Sequence, residues 1–525
     1  MVRYAEPEGF EYDRHRPGAW RFRVYVIRSL NADMPYDQFV AEQLAGDELR
    51  PDDHDALVAA GFHRLGPVRR NAGNAAVAFS LNEVLTERTN AVGTAFLALT
   101  VGCARCHDHM LDPIRQADYY RLQAFLSSSF ETNLELASDD LKRDWEARNK
   151  ASSDEIEKIK DQLKPATGEE EERLLVELHA AQARAPRPLP TISTVRNDAK
   201  NRTPIHLLER GDPGKNKKLL TMRVLGVLLP EGAEGLPDET SNPKSHLAAW
   251  ITDEKNPLTA RVIANRLWQY HFGRGLVATA NDFGVNGAEP SHPELLDFLA
   301  NRLIGNDWHL KPIHRLILLS SAYRQSSRSP TTDKAMKLDP ENRLVWHFPR
   351  RRLAAEEIRD AMLAVSGELN LKASGPSVIV PVDQELVDLL YKPSQWEVTS
   401  DEVEHRRRSV YLVAKRNLRL PFMEVFDQPD LQTSCPRRES STHAPQSLEL
   451  LNGKLSNQLA EVFAKRLHYE ASSTSQDVIT FAFALIAGRP PSDQERAIAV
   501  QYLAKNSLRE FALAMFNLNA FLYVE

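Results

Sequence analysis

Apolar residues recur at three- and four-residue spacing through most of the chain, which is the period of an amphipathic helix. Two runs between Trp20 and about Leu49 carry it, Val24, Ile27 and Leu30, then Phe39, Val40 and Leu44, with Asn31 to Tyr36 as the break. Pro67 to Asn74 reads as a loop. The stripe returns at Leu85, Val92, Phe96, Leu97 and Leu99. Asp112-Pro113 is expected to open the next helix, aspartate as cap and proline in the first turn, with Leu122, Phe125 and Leu126 on its buried side. His246 to Arg328, Ala354 to Gly367 and Gln446 to Tyr523 are again helical in pattern. Strand-like runs are short: TISTV and TMRVLGVLL between Thr191 and Leu229, and VIVPV and SVYLV within residues 370–412. The expected fold is mainly α, a multi-domain helical protein with minor β segments.

Residues 138–190 differ in kind. DDLKRDWEARNK, EIEKIKDQLK and EEEERLLVELHAAQAR flank a turn at Pro165 to Gly168 and predict an exposed helical hairpin. Sustained heptads are missing, which argues against a coiled coil. The chain thus divides into residues 1–137, the hairpin 138–190, a β-containing segment and linker 191–240, and a mostly helical C-terminal domain 241–525. A length of 525 residues exceeds what one hydrophobic core usually serves.

Composition narrows the function classes. Apolar residues make up 42% and charged residues 26%, a globular balance. A formal charge of −6 gives no electrostatic basis for binding nucleic acid. No apolar run approaches the roughly 18 residues of a membrane-spanning helix. Of the three cysteines, two stand three positions apart, in Cys103-Ala104-Arg105-Cys106-His107. That spacing is the one used for covalent haem: two thiols add to the two vinyl groups, and a histidine directly after the second thiol reaches the iron. His107 would be that iron ligand, pointing into a cavity between the flanking helices. The same run also contains zinc or iron ligands by type, as the set Cys103, Cys106, His107 and His109. A purely structural cysteine pair is the third reading. A sixth haem ligand is not identifiable. Met110 and His109 lie too close to His107 in sequence, and His54, His63 and Met34 have ordinary packing or surface roles open to them.

TAFLALTVGCARCHDHMLDPIRQADYYRLQAFL resembles the planctomycete-specific cytochrome-like domain, domain of unknown function 1549. NPLTARVIANRLWQYHFGRGLVATANDFGVNGAEPSHPELLDFLA resembles its usual partner, planctomycete-specific domain one, domain of unknown function 1553. So do DWHLKPIHRLILLSSAYRQSS, DPENRLVWHFPRRRLAAEEIRDAMLAVSGEL and RRSVYLVAKR. Relatives commonly carry Lys and an aromatic where this chain has Met110-Leu111. In similar proteins an RYAES-like string lies in mid-domain, whereas RYAEP begins here at Arg3. The resemblance therefore implies an N-terminally truncated first domain and an exported protein, periplasmic or at the cell surface. It implies haem c, electron transfer and a redox partner protein, and it names no reaction.

Other clusters have ordinary explanations beside functional ones. Asn256 is expected to cap a helix, with Arg266 paired to Asp297 or Glu294. Arg350-Arg351-Arg352 and Arg406-Arg407-Arg408 could hold phosphate or acidic sugars through forked contacts, or pair with Glu356, Glu357 and Asp360. They leave open a cell-surface polysaccharide-binding module with structural cysteines. Ser440-Ser441-Thr442-His443 lacks the strained G-x-S-x-G turn of a nucleophile. Cys435 is isolated.

Overall fold

The structure, a computed structural model, describes residues 4–9, 15–16, 18–67, 77–230, 232–328, 332–390, 393–471 and 474–524. The loop expected at Pro67 to Asn74 lies outside them apart from Pro67. Among the described residues there are 22 α-helices and three two-stranded antiparallel sheets. The protein is mainly α, as the periodicity requires. No described helix is long and apolar enough to cross a membrane.

The first two helices run Trp20–Asn31 and Tyr36–Leu49, broken where expected. Val40 and Leu44 are fully buried. In the first of them the buried face is Phe22, Arg23, Tyr25 and Ser29, not the stripe Val24, Ile27 and Leu30. The larger aromatic rings take the core, where Phe22 packs on Tyr25 and Tyr25 on Phe39. Leu30 is left exposed.

Strand Ser129–Glu135 pairs with strand Thr191–Asn197, from Ser129↔Asn197 to Glu135↔Thr191. Between these strands stand helices Asp139–Leu163 and Glu169–Arg184, the charged hairpin. It has a small core of its own in Ile159, Leu174, Leu178 and Ala181. TISTV is thus a strand, and its partner Ser129–Glu135, which alternates Phe130, Thr132 and Leu134 with polar residues, was not anticipated. TMRVLGVLL is loop and a short 3-10 turn, Gly226–Leu228. VIVPV and SVYLV form no ladder. They meet in an isolated bridge, Val378↔Leu412, and Ser409–Tyr411 is a 3-10 turn. Strand His206–Leu208 pairs with Asn216–Leu219, and the third sheet joins Arg351–Arg352 to Tyr523–Val524.

Packing sets its own division of the chain. One core gathers buried residues from Phe22 to Phe348, so the N-terminal region and the helices after residue 241 share a single interior. A second core runs from Ala355 to Phe521. The shared interior is tied by polar contacts as well. Lys244 Nζ lies 2.5 Å from Asp47 Oδ1, both side chains essentially without solvent. Ser245 donates its backbone N–H to Glu48 Oε2 at 2.8 Å, capping the helix Pro243–Ile251 from the N-terminal region. Glu6 is buried beside Arg23 (3.4 Å) and the Ser377 hydroxyl, and burial pushes its carboxyl above the usual range.

Candidate functional site around Cys103 to His107

Helix Val77–Val92 continues into a π-helical turn, Gly93–Leu97, and ends at Ala98 in the left-handed region (φ 48°). Wide turns of this kind leave carbonyls short of partners. The Arg266 guanidinium supplies them: Nη2 donates to Thr94 O at 2.7 Å and Nη1 to Ala95 O. Arg266 is therefore not paired with Asp297 or Glu294. Its third contact is Asn281 Oδ1 at 3.1 Å, and Asp297 pairs with Arg261 instead.

The chain then enters a 3-10 turn, Val101–Arg105. With three residues per turn, positions i and i+3 eclipse. Val101 and Ala104 accordingly both face the core, and Cys103 and Cys106 are both exposed. The turn lies so close to the preceding helix that a Cβ on Gly102 would stand 2.7 Å from Asn90 Oδ1. Cys106 Sγ packs against the backbone of Gly211 (φ +75°), where a Cβ would come within 3.0 Å of the sulfur. Arg105 O accepts from Gln116 Nε2 and from the Tyr120 hydroxyl, each at 2.9 Å, so the turn is pinned from below. Burial pushes the Tyr120 hydroxyl up to about 12.

His107 is exposed, which corrects the expectation that it points into a cavity between helices. The apolar neighbours that might have walled such a cavity, Phe96, Leu97, Leu122 and Phe125, are consumed by the main core. His107 Nδ1 lies 2.6 Å from Asp108 O. A carbonyl only accepts, so Nδ1 carries a proton, and in the neutral ring Nε2 keeps its lone pair. His109 is engaged differently. Its Nδ1 accepts from the backbone N–H of Asp112 (2.8 Å) and of Leu111 (3.3 Å), and its Nε2 faces Thr100 Oγ1 at 3.2 Å. Its Nδ1 thus serves the 109–114 loop, and its Nε2 ties that loop to Thr100. Asp112 does not open a helix: its Oδ1 accepts from Val285 N at 2.6 Å, and the helix runs Gln116–Ala124, with Asp108 Oδ1 accepting from Gln116 N. Among the described residues, no three His, Cys, Asp or Glu side chains converge to hold a metal ion.

Residues 1–131 match the family described as PSCyt2, protein of unknown function (DUF1549), and residues 243–503 match PSD1, protein of unknown function (DUF1553). The chain thus carries a PSCyt2 match followed by a PSD1 match, in that order. No curated protein and no solved structure matches it.

The motif belongs to the PSCyt2 region, yet the PSD1 region holds it in place. Besides the Arg266 contacts, Phe283 donates its N–H to Ala98 O at 2.7 Å, and Val285 reaches Asp112. Arg266, Asn281, Phe283 and Val285 form a clamp that sequence reasoning missed. The NRLW and NDFGV strings contain these residues, but only the three-dimensional arrangement assigns them to residues 94–112. Of the other residues weighed as haem ligands, His63 Nε2 donates to Leu44 O (2.8 Å) in the core, the Met34 sulfur lies 3.8 Å from the Tyr25 hydroxyl, His54 is the exposed first residue of a helix that then turns into the core, and Met110 is exposed. The Ser441 hydroxyl donates to Asp427 Oδ1 at 2.7 Å and has no histidine partner among the described residues.

Proposed function

We propose that the chain is an exported c-type haem protein that transfers electrons to a redox partner, with Cys103 and Cys106 forming the thioether links and His107 the axial ligand. The observation that supports this reading best is the exposure of both cysteines, three positions apart, beside a histidine whose Nδ1 is committed to the adjacent Asp108 carbonyl. Thioether formation needs accessible sulfurs at a fixed separation, and ligation by Nε2 needs Nδ1 protonated and held. The bound group would supply one-electron redox chemistry. The chain's own part is to hold the turn rigid, which Arg266, Tyr120 and Gln116 do. The non-haem alternative, zinc or iron on Cys103, Cys106, His107 and His109, draws less support. It needs His109, whose nitrogens are engaged by Thr100 and by the backbone of Leu111 and Asp112, and it needs ligands converging on one point.

The test is absorbance and intact mass of the protein exported together with a haem-attachment system. A Soret band and a mass increase of one haem are expected. Replacing either cysteine with Ala should weaken covalent retention in denaturing gels, and replacing both should abolish it. Stoichiometric zinc without a Soret band would overturn the proposal in favour of the metal site.

A further inference from the structure

A cleft of about 1000 Å³ lies where the two cores meet. The first core contributes Tyr270 and Arg274 at the end of helix Thr259–Phe272, the second contributes Asp360, Arg408 and Asp427, and the connection at residues 349–354 crosses between them. Among the described residues, nine cationic side chains line it against five acidic ones, an excess of four in a chain whose net charge is −6. Several cations are paired: Arg351 with Glu357 at 3.0 Å, Arg438 with Glu356 at 2.5 Å, Arg408 loosely with Asp360 at 3.7 Å. Two observations go beyond that pattern. Arg437 is exposed on the cleft and has no ion pair among the described residues. Arg352, 3% exposed, gives Nη2 to Asp427 at 2.5 Å and Nε to the Ser440 hydroxyl at 3.3 Å, while its buried Nη1 has no hydrogen-bond partner. Buried guanidinium N–H groups are rarely left so.

We propose that this cleft binds an acidic oligosaccharide, its carboxylate or sulfate groups received by Arg437 and the Arg350–Arg352 strip. The size suits several sugar rings, at the upper end of the roughly 300–1,000 Å³ of ligand sites. The exposed Tyr270 ring offers an apolar face for a sugar, and the interspersed carboxylates accept from hydroxyls. Charge density separates this ligand from nucleic acid. A strand carries a phosphate about every 3.4 Å and would meet the five carboxylates along with the arginines. An acidic saccharide spaces its charges by whole rings and presents hydroxyls between them. Such a ligand would bind whether or not haem is attached at Cys103 and Cys106.

The test is calorimetric titration of the full chain with a heparin-derived tetrasaccharide and with tetragalacturonate. At least one should bind at one site per chain. Arg437→Glu should weaken that binding tenfold or more, and Tyr270→Ala should weaken it too. Arg148→Glu, the same charge change on the exposed hairpin, should leave it unaltered. If Arg437→Glu shifts thermal melting, Arg437→Gln replaces it as the reporting variant. The proposal is overturned if neither saccharide binds, if Arg148→Glu weakens binding equally, if neutral maltotetraose binds as well, or if an oligothymidylate of equal charge binds as tightly.

Discussion

Lys244→Met removes one half of a buried ion pair that joins the PSCyt2 and PSD1 regions. Lys244 and Asp47 are 0% and 1% exposed, and the Asp47 Oδ2 already lacks a partner. Deleting the ammonium leaves a carboxylate in the core, shut off from solvent and with no other ion pair among the described residues. Breaking such a pair from one side costs about 3–5 kcal/mol, whereas replacing both partners with apolar residues is often neutral or stabilising. Lys244→Met and Asp47→Leu should therefore each lower stability by about 3–5 kcal/mol, and the double variant should lie within about 2 kcal/mol of the parent. Urea unfolding followed by tryptophan fluorescence measures this, with Trp250 in the same helix as Lys244. The slope with denaturant should stay constant if only stability changes. Amide exchange should accelerate in both residues 36–64 and 243–272, because one interior serves both. A single-variant loss under about 1 kcal/mol, or strict additivity in the double variant, would refute the picture of a dry pair inside a shared core.

Three further outcomes are expected. His63 is held well below its usual 6.5 by burial and by the nearby Lys244 and Arg88 charges. The unfolded chain then binds a proton that the native one refuses, so this contribution is complete above about pH 6.5 and is lost as pH falls, by up to about 1.4 kcal/mol per unit; His63→Gln should flatten the stability profile by one proton. Arg266→Ala should cost about 2–4 kcal/mol and speed proteolysis within residues 93–112, and Arg266→Lys should not restore it, because one ammonium cannot span two carbonyls and Asn281. Replacing residues 138–188 with an Asn-Gly turn should leave the unfolding of the two main cores within about 1 kcal/mol of the parent, since the hairpin has its own small core and leaves from paired strands.

Sequence period alone determined the helical character, the break at Asn31 to Tyr36 and the charged hairpin. These depend on residues a few positions apart, whose relative orientation the backbone geometry dictates. The motifs also determined the two family matches and their order. Which face of a helix is buried was less legible, as the exposed Leu30 shows, because neighbouring elements compete for the same interior and the largest rings won. Strand Ser129–Glu135 alternates Phe130, Thr132 and Leu134 with Glu131, Asn133 and Glu135, a pattern the sequence reading passed over, but which segment it pairs with was decided only by the return of Thr191–Asn197 across the whole hairpin. His107 lost its expected cavity for a similar reason: its apolar neighbours had a larger core to join. The clamp on residues 94–112, the Lys244–Asp47 pair and the arginine-lined cleft all join residues more than 60 positions apart. Such contacts are decided by which surfaces the packed helices bring together, and no local pattern encodes them.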